Sequence, residues 1–324
     1  MSGTVTARAV TEDEADIRLD RWFRRHFPDL TQGVIQRLCR TGQIRVDGKR
    51  AEAATRLAPG QSVRIPPLPA GPAPAAAPPP PDERSRAEIE RMVLYRDDQL
   101  IVLDKPPGLP TQGGPGISRH LDGMLAALAT GPADRPRLVH RLDRDTSGVL
   151  VVARSPGVAA KLAAAFRTRA VEKTYWAVVV GRPVPVEGRI DAPLVRHDPG
   201  PGGARVALAE AGEADSARAI TDFRTLDHAG RKLAWLELSP LTGRTHQLRV
   251  HCAAIGAPIL GDDAYGGPPV EGMSPLLHLH ARRLVLPHPK GGTLAVEAPL
   301  PPHMAATFRA LGFTAPPALP SQRR

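Results

Sequence analysis

The chain has 324 residues, 42% of them hydrophobic, which allows two domains and a sizeable core. Lys plus Arg exceed Asp plus Glu by 43 to 33, for a net charge of +10, and this favours a polyanionic partner, either nucleic acid or an acidic membrane surface. Cys39 and Cys252 are too few for a disulfide framework or a four-cysteine zinc site, and the opening MSGTVTARAVTEDEAD has no apolar stretch, so a reducing, cytoplasmic setting without secretion signal or membrane span is expected.

Residues 16–65 read as a small basic unit. IRLDRWFRRHF puts Leu19, Trp22, Phe23 and Phe27 on one helical face. Thr31 is placed to cap a second helix with Val34, Ile35 and Leu38 inward, which leaves Arg37 and Arg40 together on the other side. QIRVDGKRA reads as strand, Asp-Gly turn and return strand. Eleven Lys/Arg stand against five Asp/Glu in this stretch, 11 − 5 = +6 of the total charge. Residues 66–81, PPLPAGPAPAAAPPPP, hold nine prolines in sixteen residues and no charge, and read as a stiff solvated linker.

Residues 88–312 mix strand and helix signals. DQLIVLDKPPG is a buried strand ending in a Pro-Gly loop, and GVLVVARS is a second strand. Ser155 and Pro156 then start a helix as N-cap and first residue. KTYWAVVVG is a strand, and KLAWLELSP alternates faces as a strand should. THQLRVHCAAIG reads as a helix capped by Thr245, with Leu248, Cys252 and Ile255 inward and Gly256 as the stop. Strands outnumber helices without alternating with them, which points to an α+β fold. Residues 315–324 read as a loosely ordered tail.

Metal chemistry is disfavoured despite eleven histidines. His246 and His251 lie about 140° apart on a helix, and His278 and His280 have no third ligand nearby in sequence. There is no phosphate-binding loop, dinucleotide fingerprint or nucleophile elbow, and QGGPG at residues 112–116 reads as a flexible loop. What remains is carboxylates beside arginines. HRLDRDTSG, residues 140–148, places Asp143 in a charged loop at the mouth of the apolar strand VLVVA, and LTGRTHQ places Arg244 between a strand and a helix. The spacing leaves open whether the two meet or serve separate loops.

Several segments carry a family resemblance. RLDRWF and QRLCRTGQIRVDGK resemble the S4 RNA-binding domain, with Asp47 where that family more often has Asn. RLVHRLDRDTSGVLVVARS resembles the signature of the RluA family of RNA pseudouridine synthases, with Arg144 where Lys is common. DDQLIVLDKPPGLPTQGG, EKTYWAVVVG, LTGRTHQLRVHCAAIGAPILGDDAYG and LHARRL resemble further segments of that family, in its order. The layout is similar to the C type acting on the large ribosomal subunit, with the D type close to it.

The resemblance implies a catalytic domain with a mixed, mainly antiparallel sheet behind a small S4-like α/β domain. It implies isomerisation of uridines in 23S rRNA with no cofactor and no metal. Asp143 would be the catalytic carboxylate. Arg244 would pair with it, Tyr175 would stack on the flipped uracil and help remove its C5 proton, and Arg141 would fill the gap left by the extruded nucleotide. Arg18, Arg21, Arg37, Arg40 and Lys49 would bind RNA from the S4-like unit. No heptad or large apolar strip is evident, so a monomer is expected. Rival readings are a base-excising glycosidase using Asp143, and a non-catalytic S4-type ribosome-assembly factor.

Overall fold

Leu19, Trp22, Phe23 and Ile35 are fully buried at the centre of the N-terminal unit, as the helical spacing requires. The computed structural model describes residues 5–27, 30–68, 83–114, 116–129, 131, 134–168, 170–200, 203–210 and 212–323, and it divides into units Met1–Pro79 and Pro80–Arg324. Most of the proline-rich segment lies outside the described residues.

The first unit comprises β1 (Thr6–Ala9), α1 (Leu19–His26), α2 (Gln32–Arg40), β2 (Arg45–Val46), β3 (Lys49–Arg50) and β4 (Ser62–Ile65), with an antiparallel sheet in the order β1-β4-β2-β3. The Thr31 hydroxyl accepts from the Val34 N–H at the start of α2. Asp47 and Gly48 both have positive φ, +49° and +75°, the backbone that a two-residue hairpin turn needs. The unit begins earlier than residue 16. β1 pairs with β4, Val10 is buried, and the Glu14 carboxylate accepts from the Trp22 indole at 2.9 Å. TARA has no apolar face and is held by backbone pairing, so periodicity could not reveal it.

The second unit contains α3 (Glu83–Arg91), β5 (Val93–Arg96), β6 (Leu100–Lys105), α4 (Leu121–Met124), β7 (Arg137–Leu138), β8 (Ser147–Ala153), α5 (Pro156–Arg167), β9 (Glu172–Val180), β10 (Glu187–Asp191), β11 (Leu194–Gly200), β12 (Gly203–Leu208), β13 (Ile220–Ala229), β14 (Leu233–Pro240), α6 (Gln247–Ala254), β15 (Leu279–Pro287), β16 (Thr293–Glu297), α7 (Pro302–Leu311) and β17 (Gln322–Arg323). It therefore starts at α3, before residue 88. Among the described residues eleven strands form one sheet in the order β10-β13-β14-β9-β15-β8-β6-β5, with β16 beside β15, β17 beside β16 and β7 beside β8. The α+β expectation holds. Every pairing in that sheet is antiparallel except β8 with β15, where Gly148 lies opposite Ala281.

Gly148 explains how that junction closes. Its φ is +108°, and a Cβ there would stand 2.2 Å from the Ala281 carbonyl oxygen. Only glycine lets the two backbones approach this far.

Ser155 caps α5 as expected, its hydroxyl accepting from the Val158 N–H. β14 alternates its faces as expected. It is central and covered on both faces, Ala234 and Leu236 packing in one cluster and Trp235 with Trp176 and Phe308 in another. The C-terminal segment is also tied down rather than loose. β17 pairs with β16, the Leu319 N–H donates to the Glu297 carboxylate at 3.0 Å, and Arg282 donates to the Pro316 carbonyl at 3.0 Å. An open strand edge at β16 is what this polar segment satisfies.

Candidate active site

A cleft of about 1020 Å³ opens where the β7–β8 loop, β9 and the β14–α6 loop converge, and it brings Asp143, Arg141, Tyr175 and Arg244 together. Asp143 is half-buried, and Arg141 and Arg244 are exposed at the rim. Among the described residues no side chain or backbone N–H is bonded to the Asp143 carboxylate, which faces the cleft unpaired.

The loop carrying Asp143 is held on both sides of that residue. Before it, the buried Thr111 hydroxyl donates to the Leu142 carbonyl at 2.6 Å and accepts from the Leu142 N–H at 3.3 Å. After it, the fully buried Lys105 ammonium donates to the carbonyls of Arg144, Leu109 and Pro106 at 2.8, 2.8 and 2.9 Å. Burial lowers the Lys105 pKa to about 8, against the attraction of Asp145, Asp143 and Asp104. A third tie comes from His140, whose Nε2 accepts from the Val151 N–H at 2.9 Å while its ring stacks on Phe166. Burial takes the His140 pKa down to about 3, which keeps it neutral and able to accept.

The opposite wall corrects two expectations. Arg244 is not paired with Asp143 in this structure, because its Nε donates to the Arg218 carbonyl at 3.2 Å. On this wall a fixed cation whose charge meets that of Asp143 is Arg249, in the first turn of α6. Arg249 makes two bonds of 2.8 and 2.6 Å to Asp262, which is fully buried, and its guanidinium lies 5.0 Å from the centre of the Tyr265 ring. Burial lowers its pKa, but the bonds to Asp262 and the charge of Asp143 more than offset this.

Thr245 is likewise not the cap of α6. That place is taken by His246, which has φ +54° and bonds the Tyr265 hydroxyl through Nδ1 at 2.8 Å. The Gln247 side chain instead ties the turn before α6 to β13. Its Oε1 accepts from the Arg244 N–H and the Thr242 hydroxyl, and its Nε2 donates to the Ile220 carbonyl and the Thr221 hydroxyl.

Tyr175 lies on β9 between Leu238 of β14 and Ala281 of β15, with its ring packed on the core. Burial and then the charge of Asp143 raise its pKa far above the ordinary phenol value. A phenol held neutral in this way suits stacking, not removal of the C5 proton. The histidines are individually engaged: His251 bonds Thr221 and the Ala192 carbonyl, His278 bonds Thr307, and His280 bonds Ser147. Among the described residues no group of three His, Cys, Asp or Glu is arranged to hold a metal ion.

In the first unit, Arg21, Arg37, Arg40 and Lys49 are exposed, whereas Arg18 is bound to Asp20 through two nitrogens at 3.1 and 2.7 Å. Asp20 in turn accepts from Gln32. Among the described residues no helix is long and apolar enough to cross a membrane.

Known proteins with this arrangement identify the class. A family profile described as RNA pseudouridylate synthase matches residues 99–254. "Ribosomal large subunit pseudouridine synthase C" of Rickettsia bellii is 36% identical over 289 residues, 88% of this chain and 94% of its own. "RNA pseudouridine synthase 4, mitochondrial" of Arabidopsis thaliana is 33% identical over 375 residues, 90% of this chain and 78% of its own. The solved structure "Human RNA Pseudouridylate Synthase Domain Containing 4" aligns at a TM-score of 0.61 and 30% identity, covering 71% of this chain and 97% of its own. The chain belongs to the RNA pseudouridine synthases of the RluA family.

Proposed function

We propose that this protein acts as a cytoplasmic monomer that isomerises specific uridines of 23S rRNA to pseudouridine, with Asp143 as the catalytic carboxylate and no cofactor. The reaction moves no net electrons and consumes no water, so a carboxylate and a shaped cleft suffice. Several relatives bear names that specify the large ribosomal subunit, which supports that substrate. The observation carrying the catalytic assignment is the unpaired Asp143 carboxylate, in a loop tied at Leu142 and Arg144, facing a cleft that also holds Tyr175.

A base within a duplex cannot reach this position and must be flipped out. Tyr175 gives the flipped uracil an aromatic face. Asp143 then meets the electron deficiency at the sugar, by bonding to C1′ or by taking the C2′ proton. Arg249 adds a fixed positive charge to the site and is itself held by Asp262. Arg141 stands at the rim, where its planar guanidinium can stack in the vacated position. Arg244 lines the same rim and is suited to the RNA backbone. The exposed Arg21, Arg37, Arg40 and Lys49, with Arg18, supply sequence-independent phosphate contacts from the S4-like unit.

Asp143→Asn is nearly isosteric and removes only the charge. Pseudouridine formation in a 23S rRNA transcript is expected to be lost, with RNA affinity within a few-fold of wild type. Turnover by the Asn variant, beyond slow deamidation, refutes the assignment.

A further inference from the structure

The isomerisation creates a charge that Asp143 cannot stabilise. When the N1–C1′ bond breaks, its electron pair stays on N1, and the uracil is detached as an anion spread over N1, O2 and O4. The sugar's deficiency is met by the carboxylate. The C5–C1′ bond then forms, the C5 proton leaves, and N1 ends with one proton, so atoms and charge balance. Between those events the negative charge has passed from the carboxylate, now bonded or protonated, to a base that rests detached in the cleft.

The cations lining or backing the cleft are engaged or exposed, with one exception. Lys105 spends its protons on three carbonyls, Arg249 is committed to Asp262, and Arg141, Arg167 and Arg244 are exposed. Lys173 is half-buried, lines the cleft, and has no hydrogen-bond or ion-pair partner among the described residues. It lies two residues before Tyr175 on β9, so both side chains leave the strand on the same side, about 7 Å apart. The groups around it cannot neutralise it. His140 of the β7–β8 loop is kept uncharged by burial and then by the Lys173 charge itself, Phe166 and Arg167 come from α5, Leu284 lies opposite on β15, and Glu172 is exposed. Burial depresses the ammonium's pKa below the ordinary lysine value, as expected of a cation waiting for its counter-charge.

We propose that Lys173 is a further catalytic residue whose ammonium contacts the detached uracil and stabilises its negative charge between bond cleavage and re-attachment. The geometry of the turn suits a single cation. Rotating the ring about the axis through N3 and C6 exchanges N1 with C5 and also O2 with O4. A carbonyl oxygen therefore occupies the same place at the ring edge before and after the turn, and one ammonium beside the Tyr175 platform serves both orientations. A contact of this kind strengthens in the transition state and so acts on kcat.

The inference rests on the synthase reading, and the test separates the two. Full-length wild type, Lys173→Met and Lys173→Arg are assayed for pseudouridine in a 23S rRNA transcript across pH 6–10, with Asp143→Asn as the inactive control. An inactive wild type would remove the synthase reading itself. With an active wild type, Lys173→Met is expected to lose about 10²-fold in kcat with KM within about threefold, since Met keeps the apolar stem. Lys173→Arg is expected to retain more activity than Lys173→Met, and to hold its rate at alkaline pH where the wild type declines. A raised KM with unchanged kcat would make Lys173 an RNA phosphate contact and overturn the proposal. Identical pH profiles for wild type and Lys173→Arg, or an Arg variant no better than Met, would also overturn it.

Discussion

Thr111→Val tests the clamp on the catalytic loop. The Thr111 hydroxyl serves both backbone groups of Leu142, and Thr111 and Leu142 are 2% and 3% exposed, so water cannot replace it. Valine has nearly the same shape but strands one buried N–H and one buried C=O. Each costs about 1–3 kcal/mol, and with partial relaxation the sum is roughly 2–4 kcal/mol. In a unit of this size that lowers the melting temperature by about 5–12 °C, read by calorimetry as the larger unit's transition. The cost falls on the residue next to Asp143, and a shift of about 1 Å at a reacting group can lose about 10²-fold in rate. Thr111→Val is therefore expected to lower kcat by about 10–100-fold, while Thr111→Ser, which keeps the hydroxyl, stays within about threefold. If Thr111→Val melted with wild type and turned over normally, the hydroxyl would not be holding the loop and the account of its positioning would fail.

Gly148→Ala is expected to yield insoluble or grossly destabilised protein, since the added methyl meets the Ala281 carbonyl at 2.2 Å in a backbone of positive φ; a soluble, active variant would refute the close approach of β8 and β15. Arg37→Gln with Arg40→Gln is expected to lower the slope of log affinity against log salt by about 1.4–1.8 without changing kcat at saturating RNA, and an unchanged slope would remove them from the RNA surface. In the first unit, burial pushes the Glu14 carboxyl up, but bonds from the Trp22 indole, the Thr11 N–H and His26 hold it down at about 2. A depressed carboxylate contributes stability above its unfolded value of 4.5 that is lost as pH falls from there towards 2. Unfolding of that unit should thus steepen with acid over this window in wild type and flatten in Glu14→Gln, as followed by Trp22 fluorescence in Trp176→Phe/Trp235→Phe protein.

The parts of this chain that declare themselves in sequence are those whose partners are close in sequence or whose faces are one-sided. α1 and α2 have one apolar face each, and the Asp47–Gly48 turn is local. α6 was harder to read because residues 247–252 are all buried. Leu248 and Cys252 face one cluster, Val250 another and Arg249 reaches Asp262, so no single stripe marks its orientation. The charged loop at residues 140–148 marks Asp143 as a candidate, and the family resemblance supplies its expected role. Its supports did not show, because Thr111 and Lys105 act across 31 and 39 residues through backbone atoms that carry no sequence signal. Arg244 takes the expected role of ion partner from the family resemblance, whereas Arg249 sits among apolar residues and looks like part of the core. The polar strands β1 and β17 join their sheets through backbone pairing, which side-chain patterning cannot report.

The parallel contact between β8 and β15 also constrains the order in which the protein gains activity. β5 to β8 are neighbours in sequence and so are β9 to β14, but residues 147–148 must find residues 280–281 across more than a hundred positions. Pairings so distant are slow, because a long loop must close before any contact rewards it. Asp143 enters from the β8 side, while Tyr175 and Arg249 stand on the β15 side. Trp176 and Trp235 are buried wholly on that second side. On dilution from denaturant, their fluorescence should therefore reach its native value before catalysis returns, and the interval between the two signals times the joining of the halves.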